Sequence, residues 1–209
     1  MYYIDNKHYE RLDLKLKEIA DIRTGLVLSR KKATLSADVK IDYKLITLKS
    51  FSNTTSLTLD DIDNFVSTEE IADTYLSHVG DVVVRLREPI AAVYIDESAK
   101  NMVIPSLMAI VRVESRMMYG EFLAYYINST TSQKMLEKEI KGTTIAAIKT
   151  KDLEDLEVVL PSLEEQKKVV AFMNLSQNEM ELLDKLKKEK QQFSHAVLDT
   201  IIQSNKDKQ

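Results

Sequence analysis

From Ser162 to about Ser204 neither proline nor glycine interrupts the chain. Ser162 and Glu165, immediately after Pro161, have the spacing of a capping box, in which a serine hydroxyl and a glutamate carboxylate each satisfy a free backbone N–H of a first helical turn. Some forty residues in one helix make a rod on the order of 60 Å long, which overhangs a domain of 160 residues, itself about 30–35 Å across. Apolar positions recur with heptad-like spacing at Val169, Phe172, Leu183, Leu186, Phe193 and Val197, with Ser176, Glu179, Lys190 and Thr200 in the same frame and Leu175, Leu182 and Ile201 on its flanks. Asp184 to Gln192 forms the solvated side. A frame so often broken by polar residues argues against a strong parallel zipper. It is compatible with an antiparallel pair, with docking on a larger partner, or with a helix folded back on its own domain.

The preceding residues read differently. DVVVRL (Asp81 to Leu86), AAVYI (Ala91 to Ile95), LMAIVRV (Leu107 to Val113), YKLITLK (Tyr43 to Lys49) and LEVVL (Leu156 to Leu160) have strand composition. LKEIADIRTG (Leu16 to Gly25) reads as a short helix or turn ending at glycine. Ser67 and Glu70 predict a capping box opening a helix through Ile71, Tyr75, Leu76 and Val79 to Gly80. Tyr119 to Asn128 carries a helical stripe of Phe122, Leu123, Tyr126 and Ile127, and Thr130 with Gln133 predicts a further capped helix ending near Gly142. The fold class expected is therefore α+β: a mixed-sheet domain over residues 1–160, then one long C-terminal, coiled-coil-like α-helix over residues 161–209.

Cysteine is absent, which removes disulfides and thiolate metal sites. The first residues are polar and lack an apolar signal core, and no uncharged stretch is long enough to span a bilayer. A cytoplasmic location is expected. The net charge of −4 excludes a blanket nucleic-acid coat but not a local basic face. Arg30 to Lys49 holds six basic residues against two acidic ones, whereas Ser50 to Val84 holds seven acids and no Lys or Arg. Such segregation fits either a face for an anionic partner or ordinary solvated surface.

No catalytic constellation emerges. Four scattered glycines give no cofactor loop. His8, His78 and His195 lack metal-ligand spacing, and His78 is expected in the last turn of its helix. Asp60, Asp61 and Asp63 read as a solvated loop rather than a metal cluster. No cofactor is expected. Arg85 and Arg87, alternating with Leu86, are expected on one face of their strand, and arginine forks suit phosphate oxygens or a guanine edge. Lys141-Gly142-Thr143-Thr144 has the make-up of a phosphate-contacting turn, although Gly142 equally reads as a plain helix terminus, and Lys149 follows closely. Arg30, Lys31, Lys32 and Lys49 complete the set of candidate DNA contacts.

These stretches, in this order, resemble the specificity (S) subunits of Type I restriction–modification enzymes. The likeness rests on LKEIADIRTG, on GDVVVRLREPIAAVYI (Gly80 to Ile95), on SLMAIVRV (Ser106 to Val113), and above all on GTTIAAIKTKDLEDLEVVLPSLEEQKKVV (Gly142 to Val170), where Pro161, Leu163, Glu165 and Gln166 lead into the long helix. The resemblance implies a target-recognition domain that grips double-stranded DNA, joined to a helix that pairs antiparallel with a second such helix. Family members repeat this unit twice, whereas one unit stands here, so the resemblance is to a half-subunit that pairs as a homodimer through Phe172, Leu183, Leu186, Phe193, Val197 and Ile201. It further implies a separate methyltransferase (M) subunit docked along the helices, a restriction (R) subunit as a further partner, and no catalysis by this chain. Two other readings stay open: an assembly protein with a coiled-coil arm that does not touch DNA, and a stand-alone enzyme.

Overall fold

The computed structural model describes residues 13–33, 41–51, 55–114, 116–140 and 146–206. The chain divides into two compact units, Met1–Lys167 and Lys168–Gln209. Strands in the first unit are β1 (Asp13–Lys15), β2 (Ala20–Thr24), β3 (Ile41–Leu45), β4 (Asp63–Ser67), β5 (Val82–Arg85), β6 (Ala91–Tyr94), β7 (Met108–Val113) and β8 (Glu157–Val159). Its helices are α1 (Gly120–Ile127), α2 (Thr130–Ile140) and α3 (Thr150–Glu154). The last helix, α4 (Leu163–Lys206), starts in the first unit and forms the second.

The main sheet has the order β2-β7-β5-β6. Its two inner strands are sealed on both faces, which is why they read as unbroken apolar runs rather than alternating ones. Val83 lies opposite Val93 and Ile110 and, with Met108, Ile95 and Ile104, forms one core layer. The opposite face carries Val82, Val84, Ala92, Ala109 and Val111, all with no exposed surface. There α1 packs on β5 and β6, with Phe122, Leu123, Ala124 and Ile127 buried. A second cluster of Leu26, Phe65, Ile71 and Val103 lies under the β3–β4 hairpin. The third pair, β1 with β8, joins the two ends of the unit in register Asp13 to Val159. Every strand pair among the described residues is antiparallel, and parallel contact is confined to single bridges at Leu26–Pro105 and Leu45–Val103. The mixing of strand directions is thus limited to those bridges.

Three local expectations are corrected. No α-helix follows Ser67. That serine ends β4, is fully buried, and donates its hydroxyl to the carbonyls of Lys31 (3.2 Å) and Glu69 (2.6 Å). Pairing across about 35 residues of sequence outweighs the local capping signal, and only a three-residue 3-10 turn, Asp73–Tyr75, remains. His78 therefore lies outside any helix, and its Nε2 faces the Asp73 carboxylate at 2.8 Å. Second, Leu16–Gly25 opens with the turn, a 3-10 one at Leu16–Glu18, but then runs on as strand β2. Gly25 is required there by close approach: a Cβ would lie 2.4 Å from the carbonyl oxygens of both Ile104 and Pro105. Third, α2 is capped one residue early, Ser129 Oγ accepting from the Ser132 N–H at 3.3 Å, while Gln133 donates back to the Ile127 carbonyl at 2.9 Å. The Ser162–Glu165 box forms in α4: the Ser162 N–H meets Glu165 Oε2 at 3.0 Å and the Glu165 N–H meets Ser162 Oγ at 3.4 Å. Among the described residues no helix is long and apolar enough to cross a membrane.

Candidate nucleic-acid interface and partner helix

The C-terminal ends of β2 and β5 lie at the same end of the main sheet, where β7 begins: Thr24 is opposite Ala109 and Arg85 opposite Met108. From that end β2 leads toward Arg30–Lys32 and β5 leads into Arg85–Arg87. The β5 backbone stays extended past its last strand residue because Leu86–Glu88 pairs with Ala146–Ile148. The Ile148 N–H donates to the Leu86 carbonyl (2.8 Å), Arg87 bridges Ala147, and the Glu88 N–H donates to the Ala146 carbonyl (3.2 Å). That pairing sets the exposed Lys149, at the start of α3, close along the chain to the residue opposite Arg87. Its N–H is held by Asp152 Oδ2 at 2.7 Å. Lys141, Gly142, Thr143 and Thr144 lie outside the described residues.

The basic residues are not equivalent. Arg85 folds back onto its own turn, Nε donating to the Arg87 carbonyl (3.1 Å) and Nη2 to the Glu88 carbonyl (2.8 Å). It does not share an open strand face with Arg87: β5 ends at Arg85, which is half-buried, whereas Arg87 is exposed. Arg85 is a clamp on the turn that presents Arg87. Arg30, Lys32 and Lys49 are exposed, and none makes a side-chain ion pair or hydrogen bond among the described residues. Lys31 is ion-paired with Glu69, and Lys44 donates to Asn64 Oδ1 at 2.9 Å. In the hairpin Lys44 lies opposite Asn64, and the Lys31–Glu69 pair neutralises part of the charge segregated along the sequence.

Two anchoring devices have contacts that the sequence reading did not assign. Asp81, 1% exposed, receives both Nε (2.8 Å) and Nη2 (2.9 Å) of Arg112 and the His78 N–H (2.8 Å). The hydrogen bond to Asp81, with its charge, holds the Arg112 guanidinium above its ordinary pKa against the opposing effect of burial. Gln166, in the first turn of α4, is fully buried. Its amide accepts from the Tyr119 N–H (3.0 Å) and donates to the carbonyls of Met117 (2.7 Å) and Pro161 (2.9 Å). A glutamine at this position gave a signal, since the motif names it, but its three partners are set by tertiary structure. Beside β1, Lys15 and Lys17 both reach Asp155 Oδ1 at 3.0 Å. Hydrogen bonds from Lys17 and Lys15 pull the Asp155 carboxyl down to about 2, and the Lys17 ammonium is raised in turn.

The second unit is a single helix. Phe172, Leu183, Leu186, Phe193, Val197 and Ile201 are all exposed, Phe172 at 68% and Phe193 at 71%. Straight apolar and charged side chains with a capped start sustain such a helix, but its apolar surface is of the kind that marks a protein interaction site.

A model of the Type I restriction modification DNA specificity domain matches residues 12–191. The chain belongs to that family. The specificity domain has likenesses among solved structures. A chain from the work "Structural basis underlying complex assembly and conformational transition of the type I R-M system" matches at TM-score 0.60 and 21% identity, covering 88% of this chain and 43% of that one. The HsdS subunit from Thermoanaerobacter tengcongensis matches at TM-score 0.63 and 15% identity, covering 90% and 47%. The Type-I restriction-modification system S subunit from M. genitalium matches at TM-score 0.53 and 14% identity, covering 88% and 43%. This specificity domain therefore spans less than half the length of each, and at these identities the likeness is one of fold. Comparison with curated protein sequences returned no match.

Proposed function

We propose that this chain is the DNA sequence-recognition subunit of a restriction–modification system, non-catalytic itself, that directs a separate methyltransferase and nuclease to a bipartite target. Residues 1–160 are the recognition domain. Residues 161–209 supply the helix that pairs with a second copy and docks the methyltransferase (M) subunit, with a restriction (R) subunit as a further partner and the cytoplasm as the place of action. The match of residues 12–191 to a DNA specificity domain carries this reading. The candidate interface follows from the sheet end where Arg87 and Lys149 stand together and toward which β2 leads Arg30 and Lys32. Lys31, Lys49, Lys141, Gly142, Thr143 and Thr144 are the further DNA contacts that this reading expects. Closed two-fold symmetry makes the expected target an inverted repeat.

Selection from a random duplex library by the chain together with its methyltransferase tests this. An enriched inverted repeat is expected, and binding without sequence preference overturns the reading. In the same assay Arg87→Ala and Lys149→Ala each weaken binding about three- to tenfold and, where the lost contact is to phosphate, lower the salt slope by about one. Arg85→Ala lowers thermal stability as well, because it frees two turn carbonyls.

A further inference from the structure

The heptad frame of α4 contains its own alignment instructions. Its apolar positions are Val169, Phe172, Leu183, Leu186, Phe193 and Val197, and its two charged positions are Glu179 and Lys190. All of these are exposed, and Glu179 and Lys190 make no side-chain ion pair among the described residues. A charge facing the seam of a paired helix destabilises it unless it meets its opposite. We propose that two copies of this chain pair through α4 in one antiparallel register, with the two-fold axis between Asp184 and Lys185 and Glu179 of each copy facing Lys190 of the other. The proposal rests on the homodimer reading given under Proposed function and adds the register to it.

Two observations meet in this register. The first is charge. With the axis at Asp184–Lys185, Leu183 faces Leu186, Phe172 faces Val197, Ser176 faces Phe193, and both charged positions are matched. Sliding one helix to the next alignment in one direction sets Glu179 against Leu183 and Lys190 against Phe172. Sliding it in the other direction sets Glu179 against Val197 and Lys190 against Leu186. Either slip leaves four charges against apolar side chains. The second observation is length. Asp184 and Lys185 are the two central residues of the 44-residue helix, so the charge-matched register is also the one in which the helices overlap from end to end. The flanks agree: Met180 lies level with Glu189 and Leu182 with Lys187, so long charged side chains lay their stems over apolar neighbours.

Charge exchange on the full-length chain tests the register, read by analytical ultracentrifugation. Glu179→Lys alone and Lys190→Glu alone are each expected to weaken the homodimer by about tenfold or more, since each sets like charges across both contacts. Mixed together, the two variants are expected to form a heterodimer at least about tenfold tighter than either homodimer, because every contact is again between opposite charges. The absence of cysteine permits single labels at Asn178→Cys and at Gln192→Cys. In the proposed register the two copies of each label lie about 20 Å apart along the axis. A slip moves one pair of labels apart and the other together by about 10 Å. Dimers without heterodimer preference, or with slipped label distances, overturn the register and leave the homodimer standing. A wild-type chain that stays monomeric at all concentrations and on DNA overturns both.

Discussion

Apolar side chains meet opposite fates in the two units. Up to Lys167 they are sealed: Val82, Val83, Val84, Ile95, Ile104 and Leu123 have no exposed surface, and the few buried polar groups, such as Asp81 and Gln166, are fully hydrogen-bonded. Beyond Lys168 the large apolar residues Phe172, Leu175, Met180, Leu182, Leu183 and Phe193 are each more than half exposed. The first unit takes its stability from contacts within one chain. The second is a regular helix whose apolar face is complete only against another surface. The difference separates a part whose apolar surface is closed within the chain from a part whose apolar surface is open, and it predicts that the two respond to different perturbations.

The largest effect expected is on the first unit alone. Asp81→Ala strands the half-buried Arg112 guanidinium and is expected to cost about 3–5 kcal/mol of folding stability, as when one partner of a buried ion pair is removed. Thermal denaturation followed in the near ultraviolet, where the tyrosines report, should show it. An equal loss from Asp199→Ala on the exposed helix would abolish the contrast. Next, Leu186→Glu with Phe193→Glu should weaken self-association by at least about 100-fold, since each side chain forfeits roughly 2 kcal/mol of burial, while the melting midpoint of the globular unit stays put. A drop in that midpoint would mean that the helix face belongs to the fold of the first unit after all. The smallest effect is at Asp155. Its carboxyl sits at about 2 against a usual 3.8. The Lys15–Asp155–Lys17 link therefore stabilises the folded chain above the usual value, and that contribution disappears as pH falls through about 2. Carboxyl NMR should give a midpoint near 2, and Lys17→Ala should move it upward. A midpoint at the ordinary value would dissolve the clamp.

Much of this division is legible in the sequence, for reasons that differ by element. The inner strands β5 and β7 are visible as valine- and isoleucine-rich runs because burial on both faces demands apolar residues at every position. The long helix is visible because breakers are absent and its Ser162–Glu165 cap is local. The Ser67 helix fails for the converse reason: its capping signal is as good as that of Ser162, but Ser67 is claimed by Lys31 and Ile41, which no window around Ser67 contains. The candidate interface divides in the same way. Arg87 and Lys149 are legible as basic residues near turns. Their meeting is not, because it depends on Leu86–Glu88 pairing with Ala146–Ile148. The charge run from Arg30 to Lys49 misleads where Lys31 meets Glu69, because sequence distance hides neutralisation across a hairpin.

The pairing of β1 with β8 has a consequence for how such a chain changes over generations. The globular unit begins and closes on adjacent strands, with Asp13 opposite Val159 and the Leu16 N–H bonded to the Leu156 carbonyl at 2.9 Å. Everything between these strands hangs from one clasp. The intervening residues can therefore be exchanged as one block whose two ends remain fixed to each other.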